Sequence, residues 1–303
     1  MVSHEWVRAE QGFEQGFDCF VEVGLADPDE DPSEVAPARR TASEVTEAAL
    51  RLVDDAGARP VFLLVHYSDP LPGWPHDPAH DFTEPGYEGA LFDASDWREV
   101  LRVSGELGPE EREHLAALYA GEVAATDEQL GLLVRGLEDR GRLAGGFLVV
   151  TSTAGVELFD HGSLGDQKTL YDELVHVPLV ALGPRLDPRR VDTTASLVDL
   201  GPTLLSWLGL PEWNGYDGEI IDPDQVWSER VLFLETDRAR QLRGVTKGTW
   251  KLIEDREREV KELYELRSDP AEARDLAERS SRKAEDLGGL LDAFFGPGGS
   301  AGE

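Results

Sequence analysis

Residues 41–67, TASEVTEAALRLVDDAGARPVFLLVHY, decide the fold class. Val45, Ala48, Ala49, Leu52 and Val53 recur at helical spacing, which places them on one face of a helix. Thr41 with Glu44 three residues on spells a capping box, each side chain satisfying a free N–H of the first turn. Gly57 stops the run. Pro60 then opens Val61–Tyr67, an apolar run of strand length that reads as a buried strand. A helix leading into a buried strand is the first half of an α/β alternation.

The alternation continues downstream. A strong helix is predicted from Pro109, with Leu115, Leu118, Tyr119, Val123, Leu130, Leu133, Val134 and Leu137 on one face and Gly141 at its end. FLVVTS (Phe147–Ser152) and VPLVAL (Val177–Leu182) read as further buried strands, and Ser196–Leu208 as an amphipathic helix interrupted by Pro202. Between Ser68 and about Gly108 lies a connection rich in Pro, Gly, Asp and aromatic residues, long enough to be expected functional or mobile. Residues 27–38 are rich in Pro and acid and read as a loop.

Beyond about residue 225 the texture changes. RVLFLE, LRGVT, TWKLI and ELYEL are short strand-like runs close together, as in an antiparallel meander. Asp269 with Glu272 spells a second capping box, with Pro270 at the first helical position, and a last helix should run to about Phe295. The expected organisation is an α/β domain over residues 1–225, a small antiparallel α+β subdomain over 226–295 and a flexible tail over 296–303.

The 303 residues carry 29 basic and 61 acidic side chains, a formal net charge of −32. Such a surface repels phosphate backbones and anionic membranes, so no nucleic-acid partner is expected. Hydrophobic residues make up 40% of the chain, enough for a core. No run approaches the length of a membrane span, so none is expected. Met1–Glu5 lacks the layout of an export signal, which makes the cytoplasm the default location, with export the alternative if the true N-terminus lies upstream. The single cysteine, Cys19, permits no internal disulfide or thiolate metal site and reads as a small, semi-buried residue.

Four segments in order resemble the sulfatase family of the alkaline phosphatase superfamily. They are VFLLVHYSDP (Val61–Pro70); LYAGEVAATDEQLGLLVRGL (Leu118–Leu137) leading into LVVTSTAG (Leu148–Gly155); ELFDHGSLGDQKTLYDELVHVPLVALGP (Glu157–Pro184) followed by SLVDLGPTLLSWLGLP; and RGVTKGTWKLI with ELYELRSDPAEARDLAE. GFEQGFDCF, from Gly12, looks like a family segment as well. The resemblance implies an alkaline-phosphatase-like mixed sheet flanked by helices. It also implies a divalent cation, usually calcium, held by carboxylates and His or Asn beside a formylglycine nucleophile made from a C/S-x-P-x-R motif.

At those positions this sequence departs from the pattern. No C/S-x-P-x-R occurs, and no Asp-Asp strand precedes the resemblance. Where the family has Asp-His-Gly or Asp-Asn-Gly, this chain has Thr153-Ala154-Gly155. Thr and Ala do not replace a carboxylate and an imidazole on a hard cation, so no metal ligands and no cofactor are expected here. Leu71 stands where the family has a His, and His76 and His80 lie nearby.

The residual pocket candidates are Lys168, His161, His66 and Asp69. Lys168 falls at or beside a sulfate-contacting position of relatives. His161 matches a common family residue with a structural hydrogen-bonding role, and His66 with Asp69 is expected to order a strand–loop junction. Asp172-Glu173 looks like a structural element, and Trp250 and Tyr264 are expected to pack the C-terminal sheet.

The resemblance also implies central strands from further polypeptide, without which an apolar sheet edge stays open. Either the reading frame is part of a longer protein, or this is a shortened one completed by rearrangement or by another chain. The expected function is a sulfatase-like protein without hydrolysis of its own. A non-catalytic module for assembly or for a sulfated small molecule or sugar, and a phosphoester hydrolase, are the alternatives.

Overall fold

The computed structural model describes residues 1–3, 7–24, 41–70, 73–89, 91–94, 96–165, 168–192, 194–224 and 229–296. The expected loop at 27–38 lies outside them, as does the tail beyond residue 296. The chain divides into two compact units, Met1–Leu148 with Leu158–Leu164, and Val149–Glu157 with Gly165–Glu303. The boundary expected near residue 225 falls inside the second unit, where 225–228 are not among the described residues.

In the first unit, helix α1 (Ala42–Asp55) packs on the long helix α3 (Pro109–Asp139). Ala49, Val53, Leu133 and Leu137 form the buried seam, with Leu50, Leu63, Val65 and Tyr67 against it. The helices approach closely because Gly136 presents no side chain: a Cβ there would lie 2.7 Å from Leu50. Arg140 of the α3 C-cap grips Asp54 through two hydrogen bonds of 2.7 and 2.8 Å.

Thr41 sits at the N-cap of α1 but makes no capping hydrogen bond with its side chain. Its hydroxyl instead faces Ser68 and Asp69, so the expected capping box does not form. Val61–Tyr67 is likewise no continuous strand. It makes one parallel bridge, His66 with Val2, supported by the His66 N–H on the Met1 carbonyl at 2.9 Å. Leu63 and Val65 turn to the helices, whereas Val61, Phe62 and Leu64 are exposed, Phe62 by 67%.

The Ser68–Gly108 connection is built around a buried aromatic cluster rather than being an open loop. Trp74 is fully buried, with ring centroids 5.0 Å from Trp97 and 5.1 Å from Tyr119. A short helix, α2 (Trp97–Val103), starts at Asp96, whose carboxylate accepts the N–H groups of Arg98 and Glu99.

In the second unit, β1 (Leu148–Thr151) pairs with β4 (Leu179–Leu182). The short strands β2 (Glu157–Leu158) and β3 (Leu164–Gly165) and the one-turn helix α4 (Asp172–Val175) lie between them in sequence. Leu179, Val180 and Leu182 are all exposed, Val180 by 54%, so β4 is not the buried strand its composition suggests. Helix α5 (Leu200–Leu208) is continuous. Pro202 is its third residue, in the first turn, where a backbone N–H needs no partner and proline does not break the helix.

The meander forms as expected. β5 (Val231–Thr236), β6 (Leu242–Lys247), β7 (Trp250–Asp255) and β8 (Val260–Glu265) are antiparallel in sequence order. One face packs on α6 (Ser281–Phe295) through Val245, Leu252, Leu263, Ala284, Leu287 and Leu291. The other carries Leu170, Leu242, Ile253 and Tyr264. Trp250 borders the first cluster, and Tyr264 is buried in the second. The helix predicted from Pro270 does not form: Asp269 closes a turn by accepting the N–H groups of Ala273 and Arg274, and α6 begins only at Ser281.

Candidate functional site

The HYSDP segment is a hydrogen-bonded junction. The Ser68 N–H donates to Ser3 Oγ at 2.9 Å, and Ser3 Oγ donates to the His66 carbonyl at 3.2 Å. Asp69 Oδ2 accepts both the Thr41 backbone N–H, at 3.0 Å, and the Thr41 hydroxyl, at 3.2 Å. One turn into α1, the Thr46 and Tyr67 hydroxyls are 2.9 Å apart, and burial pushes the Tyr67 phenol above its ordinary pKa. These bonds engage Asp69 in fixing where α1 starts.

His76 and His80, the nearby histidines, are engaged by carboxylates. His76 Nε2 lies 3.3 Å from Asp81; His80 Nδ1 is 2.7 Å from Asp77 and its Nε2 3.5 Å from Glu128. His161 is half-buried in the Phe159–Ser163 turn, closed by the Phe159 N–H on the Ser163 carbonyl at 2.8 Å. Arg112 of α3 covers the Phe159 ring at 4.5 Å.

Cys19 is exposed, which corrects the semi-buried reading. Its neighbours Gly12 and Gly16 both have φ of 85°, so the segment is a succession of turns and leaves the thiol in solvent.

In the second unit the end of β1 is turned inward on its own backbone. The Ser152 hydroxyl donates to the Ala154 carbonyl at 2.7 Å, and the Thr151 hydroxyl to that of Pro178 at 2.8 Å. The Gly155 N–H bonds the Leu174 carbonyl at 2.9 Å, and a Cβ on Gly155 would lie 1.9 Å from the Glu173 carbonyl oxygen. Hydroxyl, methyl and glycine at residues 152–155 are a poor donor set for a hard divalent cation. Among the described residues, no group of three or more His, Cys, Asp or Glu is arranged to hold a metal. No described helix is long and apolar enough to cross a membrane.

Lys168 is half-buried and precedes Thr169, whose hydroxyl reaches the buried Glu157 carboxylate at 3.2 Å. Lys168 belongs to the second unit, whereas His66, Asp69 and His161 belong to the first. Around Tyr171 the structure builds a network that sequence reasoning missed. Lys251, with no exposed surface, donates to Asp172 at 2.8 Å and lies 3.0 Å from Glu272 Oε1. Glu272 also accepts the Asp172 N–H at 2.6 Å. Burial raises the Glu272 pKa above the ordinary range, with Lys251 opposing the rise.

Next to Asp172 in sequence, Tyr171 shares a partner with Tyr264: both hydroxyls donate to Glu262 Oε2, at 2.7 and 3.1 Å. Burial, with the negative Glu262 beside them, raises both phenol pKa values. The alternating Trp250-Lys251-Leu252 pattern was the available signal, since a lysine between two core residues of a central strand must be paired.

A family profile described as Sulfatase matches residues 2–210. Arylsulfatase K of Xenopus laevis is 27% identical over 194 residues, covering 57% of this chain and 35% of that protein. The chain thus spans little more than a third of the curated relative's length. A solved 2-O GAG sulfatase superposes with a TM-score of 0.69 at 19% identity, over 91% of this chain and 67% of that one. The phosphonate monoester hydrolase of Silicibacter pomeroyi superposes with a TM-score of 0.64 at 20% identity, over 83% and 58%. The fold is therefore the mixed α/β, alkaline-phosphatase-like one.

Proposed function

This chain belongs to the sulfatase family, and on that premise we propose that it is a portion of a sulfatase fold that does not hydrolyse sulfate esters by its own residues alone. The observation that carries the reading is the closed end of β1. The family generally uses a divalent cation there, but Ser152, Thr153 and Ala154 offer no carboxylate or imidazole, and Ser152 is spent on the Ala154 carbonyl. The two histidines near the HYSDP segment are held by Asp77, Asp81 and Glu128. Calcium is accordingly not proposed as a resident of this chain.

The second part of the proposal is that further polypeptide, or another chain, completes the sheet. A two-stranded sheet is marginal in water, and β4 presents Leu179, Val180 and Leu182 to solvent. Val61, Phe62 and Leu64 are exposed in the other unit. Apolar strands in this state are templates for added strands. In the second unit, Lys168 is the residue proposed to meet a sulfated small molecule or sugar.

The test is the purified chain assayed on an aryl sulfate with calcium or magnesium. No turnover is expected; turnover abolished by a chelator would overturn the reading. A phosphoester or phosphonate hydrolase is the second reading, favoured by the likeness to the Silicibacter pomeroyi enzyme. It is checked by an aryl phosphonate in the same assay. Separately, a sulfated sugar that raises the melting temperature, with the rise lost in Lys168→Ala, would support the ligand-binding module.

A further inference from the structure

After α5 the chain makes a loop that carries two solvent-facing aromatic rings on a fixed backbone. Trp213 is 64% and Tyr216 39% exposed. Their centroids are 5.0 Å apart and their planes meet at 87°, forming a corner. Exposed rings on a slack loop would be unremarkable, but this loop is pinned at both ends. At its start the Leu210 N–H bonds the Leu205 carbonyl at 2.9 Å, with Gly209 in the left-handed region. At its end Glu219 and Ile221 donate backbone N–H groups to the buried Asp199 and Thr203 side chains, both at 2.8 Å.

Between the ends, glycines make room for the rings. A Cβ on Gly215 would lie 2.4 Å from the Trp213 ring, and one on Gly201 of α5 would lie 2.7 Å from the Tyr216 ring. Each ring therefore rests against a glycine while much of its surface stays in solvent. Holding large apolar rings in water lowers the ordering cost of any ligand that stacks on them.

The chemistry around the rings narrows the ligand. Residues 211–224 hold five carboxylates, Glu212, Asp217, Glu219, Asp222 and Asp224, and neither Lys nor Arg. Glu212, Asn214 and Asp217, interleaved with the two rings, are exposed. Aromatic faces bordered by hydrogen-bond acceptors suit a pyranose ring, whose C–H face is apolar and whose hydroxyls donate outward. The local negative charge disfavours a sulfated or carboxylated sugar. We infer that Trp213 and Tyr216 form a binding platform for a neutral saccharide, at a place separate from the β1 strand end.

The experiment uses the full chain, titrated in a calorimeter with chitotetraose, maltotetraose and a sulfated heparin tetrasaccharide. At least one neutral tetrasaccharide should bind, with a Kd of about 1 mM or below, and any binding of the sulfated one should be unchanged by Trp213→Ala. Trp213→Ala should weaken binding of the neutral sugar about tenfold, the scale of one lost aromatic contact, while Trp213→Phe retains most of it. Tyr216→Ala provides a second variant, and melting curves for each establish that the fold is kept. Failure of both neutral sugars to bind, or full binding of the neutral sugar by both Trp213→Ala and Tyr216→Ala, would overturn the inference. None of these outcomes bears on sulfate-ester turnover, so the two readings fail separately.

Discussion

Lys251 and Glu272 form an ion pair in which neither side chain has any exposed surface, at 3.0 Å. Asp172 completes it, accepting from Lys251 at 2.8 Å and donating its N–H to Glu272 at 2.6 Å. The pair joins the central strand β7 to α4 and to the turn that precedes α6. Breaking a buried pair by removing one member leaves an uncompensated charge, at a cost of about 3–5 kcal/mol. Lys251→Met should therefore lower stability by about that amount, read from denaturant unfolding. A loss below about 1 kcal/mol would show that the carboxylates find other partners.

Glu272 also makes a pH prediction, and its sign is set by the raised pKa. A carboxyl whose folded pKa exceeds its unfolded one favours folding below the unfolded value, and that contribution is lost as pH rises through the folded pKa. Replacing Glu272 with Gln should thus flatten the decline of stability above the ordinary carboxylate range. Melting temperatures from pH 4 to 7 for both proteins check this, and parallel curves would refute it.

Asp199 behaves in the opposite sense. Burial works against its ionisation, but paired hydrogen bonds from Arg230 at 2.5 and 2.6 Å, with the N–H groups of Ser196 and Glu219, hold its pKa below the usual carboxylate value. A depressed folded pKa contributes stability above the unfolded value that is lost as pH falls through the folded one. Asp199→Asn should destabilise by about 3 kcal/mol at neutral pH and show a shallower loss between pH 4 and 2. An equally steep acid loss in the variant would place the acid sensitivity elsewhere.

The alternation of helix and strand was legible because it is written in apolar spacing and apolar runs: α1, α3, β1, β4 and the whole meander lie where these put them, whereas α6 starts eleven residues later than its cap signals suggest. Local signals were less dependable where a tertiary partner competed. Thr41 has the sequence of a capping residue, yet Asp69, 28 positions away, takes its hydroxyl. Glu272 has the spacing of a capping box, yet Lys251 takes its carboxylate. Val61–Tyr67 has strand composition, but pairing depends on which strands are beside it, and that is not written in the run itself. The absence of carboxylate and imidazole at residues 153–154 was visible from residue types; the Ser152 and Gly155 contacts that close the strand end were not.

Trp74 gives the sharpest test of the aromatic cluster in the long connection. It has no exposed surface, packs at a tilt against Trp97 and Tyr119, and donates its indole N–H to the Pro70 carbonyl at 3.3 Å. Removing a ring of that size from a packed site costs about 3–5 kcal/mol. Trp74→Ala should lose that much stability, or unfold the first unit at ambient temperature, as seen by near-ultraviolet circular dichroism. Little change would mean that the connection does not contribute to the core.

Phe62 should respond in the opposite way, and this bears directly on the proposed completion of the sheet. At 67% exposure it buries little apolar surface in the chain by itself. Phe62→Asp should therefore change stability by no more than about 0.5 kcal/mol, the range of ordinary surface substitutions. The same change should reduce self-association, because it replaces an exposed apolar ring beside Val61 and Leu64 with a charge. If the strand is instead covered by polypeptide in the isolated chain, burying a carboxylate there would cost several kcal/mol. Unfolding curves and light scattering on the two proteins separate these cases: unchanged stability with less association supports an open edge, and a large loss of stability refutes it.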